Sequence, residues 1–162
     1  MKSSRRLRLV WSADADMKPP VLLKLAFASD DRLRVNQHFG SASAFVIYSL
    51  TPQGAGVDGF GEFPEVAMDG SEGKLLARVD FLAGCDAVFV RAIGASAIKQ
   101  LLARGVQPIR VDASDRIEDL LRDISAAMSE GGVPWIERAL MTREKSGQPD
   151  RFAAMEEEGW DG

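Results

Sequence analysis

The chain carries one histidine and one cysteine in 162 residues, so any metal or cluster chemistry rests on very few soft donors. The histidine, His38, sits in Asn36-Gln37-His38-Phe39-Gly40. A neutral imidazole nitrogen can ligate a metal, and the same ring can take or give a proton near neutral pH. A lone histidine is, as a rule, a surface or capping residue, but three neighbours give this one a setting. Asn36 can orient a loop, Phe39 can anchor it in a core, and Gly40 leaves the backbone open to approach. Arg32 and Arg34 add positive charge just upstream, although such arginines also suit a plain solvated strand edge.

Other chemistries find less support. Cys85 follows Gly84 ahead of an apolar run, where a free cysteine usually serves as a small core hydrophobe. One cysteine excludes an internal disulfide framework, a multi-cysteine zinc site and a four-cysteine iron–sulfur site within one chain. No Walker-type loop, no G-x-S-x-G and no sequence-proximal Cys–His pair occurs. Gly54-Ala55-Gly56 is expected to form a turn, not a dinucleotide fingerprint, because no helix follows it. Metal-dependent hydrolysis needs several carboxylates converging on two ions. The first expected strand holds no acid, and Asp30, Asp31, Asp86 and Asp112 fall at separate strand ends.

These residues need a scaffold. Val21 to Ala28 is a short apolar run flanked by Pro and Ser-Asp-Asp, which predicts a buried strand. Ser29 to Gly40 is a polar loop carrying His38. Phe45 to Leu50 is β-branched and aromatic, a second strand. Thr51 to Gly56 predicts a turn, and Val57 to Phe63 a third strand in a hairpin with the second. Leu75, Leu76, Val79 and Leu82 mark a helix over 73–82. Asp86 to Arg91 is a strand. Gly94 opens a helix with Ile98, Leu101 and Leu102 on one face, closed by Gly105. Val106 to Val111 is the last strand. Ser114 or Asp115 is expected to cap a helix with the stripe Ile117, Leu120, Leu121, Ile124 and Met128.

Short turns imply antiparallel pairing in the first half, and strand–helix–strand units imply parallel pairing in the second. The predicted fold is α/β: a mixed five-stranded sheet in order 3-2-1-4-5 with helices on its faces, a ribonuclease-H-like three-layer arrangement. The predicted organisation is a flexible basic leader over 1–20, an α/β domain over 21–130, and a partly mobile C-terminal extension over 131–162. In such a sheet the crevice lies between the C-terminal ends of strands one and four. That places the His38 loop near the turn at Gly94, where a helix N-terminus with Ser96 in its first turn is attractive to anions.

The hydrophobic fraction of 46% supports one compact domain, and a formal charge of −4 argues against general nucleic-acid binding. Lys2, Arg5, Arg6 and Arg8 make the start basic, while Glu156, Glu157 and Glu158 crowd the other end. Asp14 and Asp16 interrupt the early apolar stretch before it could serve as a signal peptide, and no run approaches the roughly 18 residues of a membrane span. A cytoplasmic protein without membrane partners is expected.

Leu25-Ala26-Phe27-Ala28-Ser29-Asp30-Asp31, Val35-Asn36-Gln37-His38-Phe39-Gly40 and Phe45-Val46-Ile47-Tyr48 together resemble the dinitrogenase iron-molybdenum cofactor biosynthesis family. Gly84 to Val90, Ala92-Ile93-Gly94 and Leu102 to Pro108 continue the likeness, which covers about residues 21–128. The resemblance implies a ribonuclease-H-like fold without nuclease activity. It implies transient binding of an iron–sulfur precursor of the nitrogenase cofactor, of the NifB-co type, and transfer to the NifEN scaffold, with NifB as a further partner. It makes His38 the cluster ligand, with Asn36, Phe39, Gly40, Arg32, Arg34, Gly94 and Ser96 around the cargo. A monomer or weak dimer is expected. Two other readings stay open at this level: a cluster-free interaction or regulatory module of the same fold, and a metal-dependent hydrolase.

Overall fold

The structure is a computed structural model that describes residues 20–63, 71–112 and 115–146. Residues 1–19 of the basic leader and 147–162 of the C-terminal extension lie outside the described residues, as does Ser114. The order along the chain is β1 (Leu23–Ala28), a 3-10 turn (Phe39–Ser41), β2 (Ala44–Thr51), β3 (Gly54–Glu62), α1 (Ser71–Phe81), β4 (Ala87–Val90), α2 (Ala95–Ala103), β5 (Gln107–Arg110), α3 (Ile117–Glu130) and α4 (Pro134–Ser146).

The five strands form one sheet in the order β3-β2-β1-β4-β5. β1 pairs antiparallel with β2 and parallel with β4, so it is the central strand. A strand buried on both faces must be apolar throughout, which is why Leu23 to Ala28 reads as a near-continuous run. Its alternation divides two cores. Leu23, Leu25 and Phe27 face one cluster with Phe89, Ile117, Leu121, Ile124, Ile136 and Ala139. Ala26 and Ala28 face the other, with Phe39, Phe45, Val79, Leu82, Ala97 and Leu101. Thus α3 and α4 cover one face of the sheet, and α1 and α2 the other. Phe27 stacks on Phe89 at 4.9 Å between ring centroids, tying the two parallel central strands together on the first face.

Several sequence expectations change in detail. Gly54-Ala55-Gly56 is not a turn: the three residues pair with Thr51, Leu50 and Ser49, and Pro52-Gln53 alone reverse the chain. Glycine is a poor strand former, but the ladder to an apolar β2 overrides that preference. Leu76 and Leu102 lie outside the buried stripes, 46% and 50% exposed, while the buried Arg78 and Ala97 take inward positions. Asp115 does not cap α3. The N-cap is Arg116, without a side-chain cap bond, and the Asp115 carboxylate is used by Arg34 instead. Helix α4 falls within the segment assigned to the C-terminal extension. Its Ile136 and Ala139 are buried in the β1 core, Trp135 meets Phe89 edge-on, and Arg143 pairs with Asp86 at 2.6 Å.

Candidate functional site

The loop that follows β1 is built by short polar side chains bonding to its own backbone. The buried Ser29 donates its hydroxyl to Asp31 Oδ1 (3.0 Å) and accepts the Arg32 amide (2.9 Å). Asp31 Oδ1 also accepts the amides of Leu33 (2.8 Å) and Arg34 (3.0 Å). An Asx-type turn of this kind replaces missing backbone pairing. The amides of Leu33 and Arg34 hold the Asp31 carboxyl below its ordinary value. The turn also forces Arg32 to φ +64°, the left-handed region that side chains seldom occupy. Two residues further, Asn36 Nδ2 donates to Asp30 Oδ1 (2.9 Å), and the Asn36 amide returns to the Ala28 carbonyl (3.1 Å).

His38 is then fixed from both sides. The Gln37 carbonyl accepts the Arg91 amide (2.9 Å), and the Phe39 amide donates to the Ala92 carbonyl (2.8 Å), giving a parallel bridge between His38 and Ala92. Gln37 Oε1 accepts both the amide and the hydroxyl of Ser43 (2.9 and 3.1 Å). Phe39 is fully buried and packs on Phe45 at 5.6 Å; burying such a ring stabilises the fold by on the order of 2–3 kcal/mol. The carbonyl of Ala42, at the end of the 3-10 turn, accepts from Nε and Nη2 of the buried Arg78 (3.0 and 2.6 Å). Between these anchors the His38 residue is exposed. The position of Gly40 is open, with no atom within 4 Å of where a side chain would begin.

The sequence-derived site residues divide into groups. His38, Asn36, Gly40 and Gly94 share one end of the sheet, stitched together through Ala92. Gly94 is the N-cap of α2 with no side-chain cap, and Ser96 Oγ receives only a long bond from Gln100 (3.4 Å). The first-turn amides of α2 therefore have no side-chain cap. Phe39 is an anchor inside the core and presents no surface. Arg34 has its charge committed to Asp115 (2.7 Å). Arg32 lies with its guanidinium 3.9 Å from the centre of the Phe60 ring on β3, on the opposite side of β1 from β4.

Four contributors went unread in the sequence. Gln37 and Arg78 brace the His38 turn, while Arg91 and Asp115 join it to the neighbouring loops. The polar run Ser29-Asp30-Asp31 did carry an Asx-turn signal; Arg78, Arg91 and Asp115 act across long sequence separations and leave no local mark, whereas Gln37 reaches Ser43, six residues on. Cys85 lies before the other end of β4. It is buried, and burial pushes its thiol up to about 11. Among the described residues no group of three His, Cys, Asp or Glu side chains could hold a metal ion. The site is an open ledge. A cavity of about 280 Å³, lined by Trp135, Arg138 and Leu102, lies at the other end of the sheet, beside Asp86. No helix among the described residues is long and apolar enough to cross a membrane.

An exposed histidine residue, bridged to Ala92, thus lies close in the fold to the uncapped start of α2 at one end of the mixed sheet. The chain belongs to the dinitrogenase iron-molybdenum cofactor family, whose model matches residues 21–127. That membership places it in iron-molybdenum cofactor biosynthesis and in nitrogen fixation. Within the family it is similar to the protein NifX of Azotobacter vinelandii, at 42% identity over 158 residues, 98% of this chain and 97% of that protein. It is also 29% identical over 118 residues to the FeMo cofactor biosynthesis protein NifB of Azotobacter vinelandii, covering 70% of this chain and 23% of NifB. The crystal structure of PH0822 shares the fold, with a TM-score of 0.51 at 23% identity over 65% of this chain and 90% of that one.

Proposed function

We propose that the protein is a non-enzymatic carrier. It receives an iron–sulfur precursor of the nitrogenase cofactor, of the NifB-co type, from NifB, and passes it to the NifEN scaffold. The observation that supports this reading is the His38–Ala92 bridge, which pairs the exposed His38 residue with the segment leading into the uncapped N-cap Gly94.

The donor set suits such a cargo. The cluster is anionic, its iron sites accept an imidazole, and its sulfides accept N–H donors. The first-turn amides of α2 and the Ser96 hydroxyl supply hydrogen bonds, and the helix dipole favours negative charge there. Asn36, through its bond to Asp30, and Phe39, through burial, hold the loop that presents His38. One imidazole without a nearby thiolate gives a hold that can be released, which is what a carrier needs. The arrangement is read as a ribonuclease-H-like scaffold turned to carriage, with Asp30 and Asp31 spent on building the loop.

The test is retention of iron. Under strict anaerobiosis the full chain is mixed with NifB-co and passed over a sizing column. The wild type is expected to elute brown with iron, and His38→Ala to lose at least about 10-fold in affinity, the scale of losing one metal-site contact. Equal retention by both proteins would remove His38 from the site, and no retention by either would remove the carrier reading.

A further inference from the structure

Three segments meet at the ledge, and one carboxylate joins them. Asp115, in the loop between β5 and α3, accepts Arg34 Nη1 on Oδ1 at 2.7 Å, and its Oδ2 lies 3.7 Å from Arg91 Nη1. Arg34 belongs to the loop that carries His38, and Arg91 immediately precedes Ala92. The Asp115 side chain is only 21% exposed. The contact is reinforced by the backbone: the Val35 amide donates to the Asp115 carbonyl (2.8 Å), the Ile117 amide donates to the Leu33 carbonyl (2.9 Å), and Arg34 bridges Arg116. Arg91 Nη1 also donates to the Asp112 carbonyl at 3.2 Å. Asp112 and Asp115 thus border the His38 segment on a third side.

We infer that Asp115 is a positioning residue for the cargo: by holding Arg34 and Arg91 on one carboxylate, it sets the separation between His38 and the start of α2. This rests on the carrier reading. The physical logic is that the His38 segment is joined to the residues just after β4 by two backbone hydrogen bonds, to the Arg91 amide and the Ala92 carbonyl. Two bonds at a sheet's end fray readily. A shared carboxylate adds a side-chain link of the same three segments without touching the cargo. It also neutralises one of two guanidinium charges that would otherwise repel each other across the gap. Removing the carboxylate frees positive charge near an anionic ligand, so an effect of charge alone would tighten binding. Loss of positioning weakens it. The two effects have opposite signs, and the sign decides.

The experiment uses the full chain as wild type, Asp115→Asn and Asp115→Glu, with an Arg34→Ala and Arg91→Ala double variant that breaks the same link from the other side. Amide hydrogen exchange at Phe39 and Arg91 is read without cargo, with Phe27 and Val88 as controls for global stability. Binding of NifB-co is then measured anaerobically. The inference expects Asp115→Asn to speed exchange at Phe39 and Arg91 by about 5-fold, the scale of a partly exposed ion pair, with the controls unchanged. It expects cluster affinity to fall by a similar factor and Asp115→Glu to recover most of it. Unchanged exchange overturns the inference, as does faster exchange with equal or tighter cluster binding. A wild type that holds no cluster sinks the carrier reading and this role with it, while the exchange result still reports on the link.

Discussion

Asp31 offers the sharpest test of how the loop is built. Its Oδ1 alone takes three donors, from Ser29 Oγ and the amides of Leu33 and Arg34. In Asp31→Ala all three lose their acceptor, and Arg32 is left at φ +64° with the Ser29 hydroxyl as the remaining partner of its amide. A bond of this kind contributes about 0.5–1.5 kcal/mol net, and the lower end applies to a turn this exposed, so the loss is about 1.5 kcal/mol. For a chain of this length that lowers the melting temperature by about 3–6 °C. Asp31→Asn keeps an oxygen in the Oδ1 position, so it should cost less than about 0.5 kcal/mol. The pH dependence separates charge from geometry. The folded carboxyl titrates below its ordinary 3.8, so its stabilising contribution is present above that value. It is lost as pH falls through the lower folded value. Asp31→Asn should flatten this acid limb while keeping stability near neutral pH. Thermal melts followed by far-UV circular dichroism at pH 7 and across the acid range measure both. An Asp31→Ala melt within about 1 °C of the wild type would show that the Asp31 carboxylate does not hold the turn. An Asp31→Asn loss equal to that of Asp31→Ala would show that an oxygen in the Oδ1 position alone does not hold it.

Three further outcomes follow from packing. Cys85 should resist a thiol reagent in the native protein and react once it is unfolded. Its stabilising contribution is full below 9.0 and is lost as pH rises through about 11, worth on the order of 3 kcal/mol, so Cys85→Ala should remove that alkaline limb from urea titrations. Gly61→Ala should lower stability by about 1–3 kcal/mol in urea unfolding, because its methyl group would lie 2.5 Å from Phe81 Cζ within the Phe45–Phe63–Phe81 cluster. Arg143→Ala should cost about 1–3 kcal/mol and speed amide exchange in α4, because the half-buried Asp86 loses the guanidinium that closes α4 onto β4.

Local pattern carried much of the fold. The apolar run at Leu23 to Ala28, the hairpin strands and the stripe Ile117–Leu121–Ile124 each lie within one element, so period and flanking turns reveal them. The strand order followed from connection lengths. What escaped was decided by long-range partners. Leu76 and Leu102 look like core residues by spacing, but the inward positions beside them go to Arg78, which the Ala42 carbonyl satisfies, and to the smaller Ala97. Asp115 has the side chain of a helix cap and sits near a helix start, yet Arg34, far away in sequence, claims it. Helix α4 hides because its apolar residues end at Met141, and the buried pair Ile136 and Ala139 spans a single turn. At the site, Asn36 to Gly40 was legible as a motif and Gly94 as a helix opening. Their juxtaposition at Ala92 required the sheet. Arg32 reads as part of the same cationic rim, but the left-handed turn sends it to Phe60.

In the proposed role His38 touches the cargo. Because it is the chain's only histidine, protein labelled with ¹⁵N-histidine gives one imidazole spin system, free of overlap. Titration with NifB-co under anaerobic conditions should shift or broaden one ring nitrogen far more than the other, with saturation matching the iron retained per chain. Both ring nitrogens unmoved while the protein holds the cluster would show that His38 does not touch it.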